Sequence, residues 1–389
     1  MSRIRGIEAK VLKIHKDYKD SLHNLETRKN KSNKLHINEL LFKLPKLDAI
    51  FDVHRKIGEG TFSSVYLASL KQHAGLSDGQ KSWFAIKHLV PTAHPARIEH
   101  ELRCLQDMGG KHNVIGVELC LRNLDTIVFV MPYIPHKKFS EYVGDMDANE
   151  VRQYMRALMV ALRHVHSFGV IHRDVKPSNF LYDRENKRYL LVDFGLAQRV
   201  WAREEPPAAL PPPAHIATVA CKRARDENPP PAHAGERCPC ANVGGVCGAC
   251  ATRAAARAPR AGTQGFRPPE VLLKSPRQGT AVDTWAAGVV LASLLTARYP
   301  FFRAGDDVSA LAELVDLLGT EPLQRTAEAL GGARPRAPPP QADAFDASAT
   351  VAGFPDAAFA LLARLLDPDP RSRLSAPAAL AHPFLAGDD

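Results

Sequence analysis

Ile171-His172-Arg173-Asp174-Val175-Lys176-Pro177-Ser178-Asn179 crowds acidic, basic and amide side chains into one short segment stiffened by a proline. It follows Val151, Tyr154, Met155, Leu158, Leu162 and Val165, whose three-and-four spacing predicts a buried helical stripe ending just before Gly169. A polar loop at the end of a buried helix is where reactive groups are usually held, because the packed scaffold fixes their positions while the loop stays accessible.

Working downstream, Leu190-Leu191-Val192 delivers Asp193-Phe194-Gly195 fourteen residues after Asn179, a carboxylate at a strand end followed by a hinge glycine. Upstream, Ile57-Gly58-Glu59-Gly60-Thr61-Phe62-Ser63-Ser64-Val65 reads as strand, glycine turn, strand. Gly58 and Gly60 let backbone amides approach phosphate oxygens, although the third position of the common G-x-G-x-x-G pattern is Ser63. Twenty-two residues past Val65, Ala85-Ile86-Lys87 ends a β run with a lysine aimed by a rigid strand. The next helix, expected from about Pro95 to Met108, offers Glu99 and Glu101 as its counter-ion. Glu101 is preferred, because Leu102 and Leu105 place its neighbours on the apolar face, whereas Glu99 has Arg103 one turn later and is expected in solvent.

These strings in this order assign roles for phosphoryl transfer. Lys87 sits between phosphates, Asp174 orients the attacking hydroxyl and accepts its proton, and Lys176 neutralises the moving group. Asn179 and Asp193 offer the oxygen ligands that Mg²⁺ prefers. Each string alone is weak; the ordered set is specific.

The bulk properties fit a soluble, intracellular protein. The 389 residues are 45% apolar and 24% charged, enough for two lobes. Met1 to Lys19 lacks the apolar core of a secretory signal, and the hydrophobic run near Trp285 to Leu295 is too short to span a bilayer. Residues 1–48 carry 12 Lys/Arg against 6 Asp/Glu, most of the net +9. Without an accompanying pattern of stacking aromatics, this basic arm is not expected to bind nucleic acid directly. Residues 1–50 are therefore set apart as a basic extension, with a short helix from Ile37 to Leu44 ended by Pro45. Short apolar runs at Val65–Leu67, Trp83–Ile86 and Ile127–Met131 predict a small antiparallel lobe over 51–134. Helical patterns fill 135–389, interrupted by Pro/Ala-rich inserts at 200–258 and 331–350 that cannot pack a core. The expected class is α+β, a β-rich lobe with one helix joined to a larger helical lobe.

These residues resemble the protein kinase family from about Ile57 to Leu385. That resemblance implies a bilobal kinase fold using ATP and Mg²⁺. Ile57, Val65, Ala85 and Leu181 would sandwich adenine, with Met131 as gatekeeper and Pro132, Tyr133 and Ile134 as hinge. It also implies that Glu270 of Arg267-Pro268-Pro269-Glu270 pairs with Arg373, and that Asp283 holds the catalytic loop from below. Lys176 with Thr263 is the serine/threonine pattern.

The segment from Gly195 to Arg267 has 71 intervening residues and contains Cys238, Cys240, Cys247 and Cys250. Four thiolates at this spacing suit one tetrahedral Zn²⁺; the alternative is an insert with unligated cysteines. With Gly58 to Ala68, Met131-Pro132-Tyr133 and Arg260-Ala261-Gly262-Thr263, this cluster is similar to the cell division cycle 7-related kinases. The resemblance implies a nuclear enzyme that works with an activator-of-S-phase-type regulatory subunit, phosphorylates the minichromosome maintenance helicase and so starts DNA replication. An autonomous kinase of another group and a catalytically dead scaffold are the alternatives. Arg260 and Arg267, flanking Thr263, are candidates to attract an acidic or phosphorylated residue just after the target serine, or else are solvated or structural arginines.

Overall fold

The computed structural model describes residues 33–60, 62–90, 95–199, 262–276, 278–331 and 353–387. Five antiparallel strands come first: β1 (Phe51–Glu59), β2 (Ser63–Leu70), β3 (Trp83–Leu89), β4 (Leu119–Asn123) and β5 (Thr126–Pro132), in spatial order β1-β2-β3-β5-β4. Strand β5 shows why the sheet is buried on both faces. Its alternate residues Val128 and Val130 join one apolar cluster, while Phe129 and Met131 join another. The second cluster also holds Cys104, Leu105 and Met108 of helix α3 (Pro95–Met108) and runs on into the helical lobe.

The opposite face of the sheet is covered by residues expected to be an extension. A helix at 33–43 (α1) and α2 (Pro45–Ile50) bury Ile37, Leu40, Leu44 and Leu47 against Tyr66, Ile86, Val128 and Val130. The β-rich lobe therefore begins before residue 51, at least as early as residue 33. Pro45 both interrupts the first helix and opens the second, where its missing N–H is no loss.

In the helical lobe, α4 (Ala148–Ser167) starts at Asp147, whose carboxylate accepts from the Glu150 amide at 2.7 Å. Its stripe of Val151, Tyr154, Met155, Leu158, Leu162 and Val165 is buried, as the periodicity predicts. Beyond it lie the short strands β6 (Val170–Ile171), β7 (Phe180–Asp183), β8 (Arg188–Leu191) and β9 (Gln198–Arg199). Helices α5 (Pro269–Leu272), α6 (Ala281–Thr296), α7 (Asp307–Leu318), α8 (Thr320–Ala329), α9 (Asp356–Leu365), α10 (Ala376–Leu380) and α11 (Pro383–Ala386) complete it. Helix α6 is apolar all round because it runs through the middle of this lobe, from Val282 to Leu295 almost wholly buried. Among the described residues no helix is long and apolar enough to cross a membrane.

Candidate active site

The loop after α4 is built around one buried carboxylate. Asp283, on α6, accepts from the backbone amides of His172 and Arg173, each at 2.8 Å, and from His166 Nε2 at 2.9 Å. Arg173, held by one of these bonds, adopts a left-handed conformation, φ +68°. His172 is fully buried; its Nε2–H donates to Val192 O at 3.0 Å while Nδ1 accepts from the Asp174 amide. That pairing fixes one tautomer and ties the loop to the strand leading into Asp193. The His172 ring packs edge-on against Phe194, with centroids 5.0 Å apart.

Asp174 emerges from this scaffold with its two oxygens divided between partners. Oδ1 accepts from the Thr263 hydroxyl at 2.6 Å and its amide at 3.0 Å; Oδ2 accepts from Lys176 Nζ and Asn179 Nδ2, both at 2.9 Å. Lys176 also donates to the Thr263 hydroxyl at 2.6 Å, so Thr263 bridges acid and ammonium. The turn that brings Thr263 here needs glycine at 262. Its φ is +97°, and a Cβ would lie 2.8 Å from Arg173 O.

Across the cleft, β3 and α3 position a second charged group. Lys87 Nζ donates to Glu101 at 2.5 Å and to Asp193 at 2.8 Å, joining sheet, helix and the segment beyond β8. Burial alone would push the Lys87 ammonium down, but the two carboxylates outweigh it and hold it above its ordinary range. Burial raises the Glu101 carboxyl against the pull of Lys87. Asp193 goes the other way: burial opposes its charge, yet Lys87 brings it below the ordinary carboxylate range. Glu99 lies in solvent with Arg103 at 2.6 Å. Gly60, Ser63, Lys87, Glu101, Asp174 and Asp193 line one cavity of about 290 Å³.

The glycine loop turns through a Gly60 N–H to Ser63 O bond of 2.8 Å, and Ser63 is already paired with Leu89 as part of β2. Gly58 lies opposite Val65, and Ala85 opposite Met131 in the β3–β5 register. Ile57, Val65, Pro132, Tyr133 and Leu181 are half-buried on the strands and linker around them.

An oxygen-liganded cation fits this chemistry. Asp193 presents a carboxylate whose side chain is 47% exposed, and Asn179 spends its amide N–H₂ on Asp174, leaving the amide oxygen as ligand. Among the described residues no cluster of three His, Cys, Asp or Glu could hold a metal by itself. A cation here would depend on phosphate oxygens as well as Asp193 and Asn179.

Arg267 does not offer a free fork to a substrate. Its Nε and Nη2 donate to Gly262 O at 3.1 and 2.8 Å, and Nη1 to Asp307 at 3.0 Å, so it braces the turn that carries Thr263. Behind it, Pro268 sits in the extended conformation proline favours (φ −76°, ψ 167°). Glu270 and Arg373 form a buried two-bond pair at 2.7 and 2.9 Å. Arg260 and the cysteines Cys238, Cys240, Cys247 and Cys250 lie outside the described residues, as does all of the 200–258 insert and nearly all of that at 331–350.

Two contributors were not anticipated. Arg97, one turn before Glu101 on α3, donates to Gly195 O at 2.5 Å and lies over the Phe62 ring at 4.4 Å. Its i−4 spacing from Glu101 was the available signal. Gln198 accepts from Arg173 Nη1 at 2.8 Å, a pairing across 25 residues that no local pattern announces.

The two lobes, the cleft and this divided set of lysines and carboxylates have the architecture of the protein kinase class; the protein kinase domain matches residues 51–217 and 245–385. The chain is 35% identical to the Drosophila melanogaster "non-specific serine/threonine protein kinase Cdc7" over 78% of this chain and 62% of that one. It is 34% identical to the Mus musculus "Cell division cycle 7-related protein kinase" (80% of this chain, 74% of the relative). It is also 34% identical to the Encephalitozoon cuniculi "Probable cell division control protein 7 homolog 1" (90% and 94%). The chain belongs to the cell division cycle 7-related branch of the protein kinase family. It spans under two thirds of the Drosophila relative's length.

Proposed function

We propose that this chain transfers the γ-phosphoryl group of ATP to serine or threonine hydroxyls of proteins. The observation that carries the reading is the single cleft in which Lys87, held by Glu101 and Asp193, faces Asp174, Lys176 and Thr263. Asp174 is placed to orient an entering hydroxyl and take its proton, and Lys176 to offset negative charge as it moves. Lys87 would steady the nucleotide's phosphates over the glycine loop, with Ile57, Gly58, Gly60, Val65, Ala85, Met131, Pro132, Tyr133 and Leu181 around its base. Mg²⁺, held by Asp193 and Asn179, would supply charge neutralisation to the phosphates. Radiolabel transfer by the wild type, lowered at least about a thousandfold in Asp193→Asn, is the expected result. Wild-type protein that binds its activator and nucleotide but labels nothing would leave a scaffold instead.

The finer reading is a replication kinase of the nucleus, working with an activator-of-S-phase-type subunit on the minichromosome maintenance helicase. The sequence resemblance supports it, together with the cell division names of the relatives. The long 200–258 insert offers Arg173 no clear phosphorylation site, so ordering of this segment by a partner protein fits the reading. An assay on a helicase subunit with and without the activator tests this; full activity of the chain alone would reject it. Cys238, Cys240, Cys247 and Cys250 are proposed to hold one structural Zn²⁺ on the strength of their spacing. Metal analysis of the purified chain should find one equivalent, lost in Cys247→Ser with Cys250→Ser.

A further inference from the structure

Phe62 stands at the tip of the glycine turn between β1 and β2, a large apolar side chain left 45% exposed. Its backbone is tied down, because its carbonyl accepts from the Val90 amide at 2.9 Å. Its ring is covered by the guanidinium of Arg97, whose Cζ lies 4.4 Å from the centroid. The same guanidinium donates through Nε to Gly195 O at 2.5 Å. Gly195 is thus held from both sides, for its amide donates to Asp193 Oδ1 at 3.3 Å. A Cβ on residue 195 would lie 3.2 Å from Asp193 Oδ1 and 3.3 Å from Glu101 Oε2, so little room remains there. Phe62, Arg97, Gly195 and Asp193 all line the cleft. Arg97 also occupies an unfavourable place for a cation. It lies in the first turn of α3, which holds no acidic residue, and a positive charge there opposes the helix dipole. The reason for this charge lies in the contacts it makes off the helix.

We propose that Arg97 is a positioning residue that clasps the tip of the glycine turn to the Asp193 segment, so that the turn closes over the nucleotide's phosphates only while Lys87, Glu101 and Asp193 are assembled. The proposal rests on the phosphoryl-transfer reading above. One planar group here meets a ring with its face and a carbonyl with its edge, which a guanidinium does at once and an ammonium does not. If the Asp193 segment moves away, Nε loses Gly195 O and Arg97 no longer offers Phe62 a fixed face. If the turn lifts, Gly195 keeps its bond and the ring contact is lost. A nucleotide held under the turn therefore favours the assembled cleft, and the assembled cleft favours retention of the nucleotide by the same factor. The contact also shields the phosphate end of the cleft from the side of α3, where the Lys87 and Glu101 charges are already buried.

A double-mutant cycle on the full chain with its activating subunit tests the clasp. Arg97→Ala should raise the KM for ATP about tenfold and Phe62→Leu about fivefold, the sizes of the two contacts together and of the ring contact alone. The double variant should match Arg97→Ala, well short of the roughly fiftyfold expected of independent losses. Phe62→Trp, which keeps a ring face, should hold the wild-type value, and Arg97→Lys should recover only part of the loss. The KM for peptide, and kcat at saturating ATP, should change less than about threefold in every variant, because saturating nucleotide draws the turn down by itself. Calorimetry with ADP and Mg²⁺ reads the same cycle without turnover. A coupled loss of ADP binding in a chain that transfers no phosphate would sink the kinase reading and keep the clasp. Losses that multiply in the double variant overturn the proposal, as does an Arg97→Ala variant that lowers kcat with the KM for ATP unmoved.

Discussion

Thr263 is a small side chain with two charged neighbours. Its hydroxyl donates to Asp174 and accepts from Lys176, both at 2.6 Å, and its amide adds a third bond to Asp174. Removing the hydroxyl leaves the amide bond and the direct Lys176–Asp174 contact at 2.9 Å, so the charges stay but their angles loosen. Thr263→Ala should therefore lower kcat by roughly 10–100-fold, about 1–3 kcal/mol, with the KM for ATP little changed, while Thr263→Ser keeps most of the rate. Steady-state kinetics on one peptide decide it; a Ser variant as slow as Ala would point to the lost methyl group instead. Most of the residues in this cleft were legible beforehand because they fall in short strings with fixed chemistry. Arg267 stayed open between a substrate contact and a structural role for the opposite reason: nothing local reveals that Asp307, 40 residues later, comes within 3.0 Å of its guanidinium.

At the scale of elements, α3 and α4 were readable because their apolar residues repeat at helical spacing, and burial follows that repeat. Strand β1 was legible only at its end, where Ile57 enters the glycine turn, since Phe51–Glu59 carries register shifts at Val53/Arg55 and Lys56/Gly58 that break the alternation a strand normally shows. The first turn of α4 supplies a prediction. Glu150 accepts from Tyr182 at 2.7 Å and from Arg184 at 2.8 and 2.6 Å, fastening β7 and the turn after it to the helix. Burial opposes its charge, but the Arg184 and Tyr182 hydrogen bonds outweigh it and bring the carboxyl down to about 2 from 4.5. A depressed folded-state value means that the stabilisation is complete above about pH 4.5 and is lost as pH falls toward about 2. Allowing for the exposure of Arg184 and Lys187, Glu150→Gln should cost about 1–2 kcal/mol at pH 7. Urea midpoints should show that gap closing between about pH 4.5 and 3, and a constant gap over that range would reject the account.

On the scale of the whole molecule, the cleft is held by contacts that cross between elements far apart in the chain. Lys87 belongs to the sheet, Glu101 to α3 and Asp193 to the segment that leads out of the helical lobe, so the sheet's position sets where the ammonium points. The sheet in turn has two apolar faces, one shared with α3 and the helical lobe, the other covered by α1 and α2 through Leu40 (2% exposed) and Leu47 (fully buried). Without those helices Tyr66, Ala68, Ile86, Val128 and Val130 would face water, and a sheet exposed on one apolar face loses both stability and a fixed twist. Leu40→Ala and Leu47→Ala should each cost roughly 2–5 kcal/mol, the usual range for truncating a buried leucine. The loss should be local. Hydrogen exchange is expected to quicken in β1, β2, β3 and β5 while α4 and α6 keep their protection, and the KM for ATP should rise as Lys87 loses its aim. Phe42→Ala, on the same stretch but 86% exposed, is the matched control and should leave both readouts unchanged. If Leu40→Ala and Leu47→Ala behaved like that control, α1 and α2 would be passengers on the sheet rather than part of the device that aims Lys87.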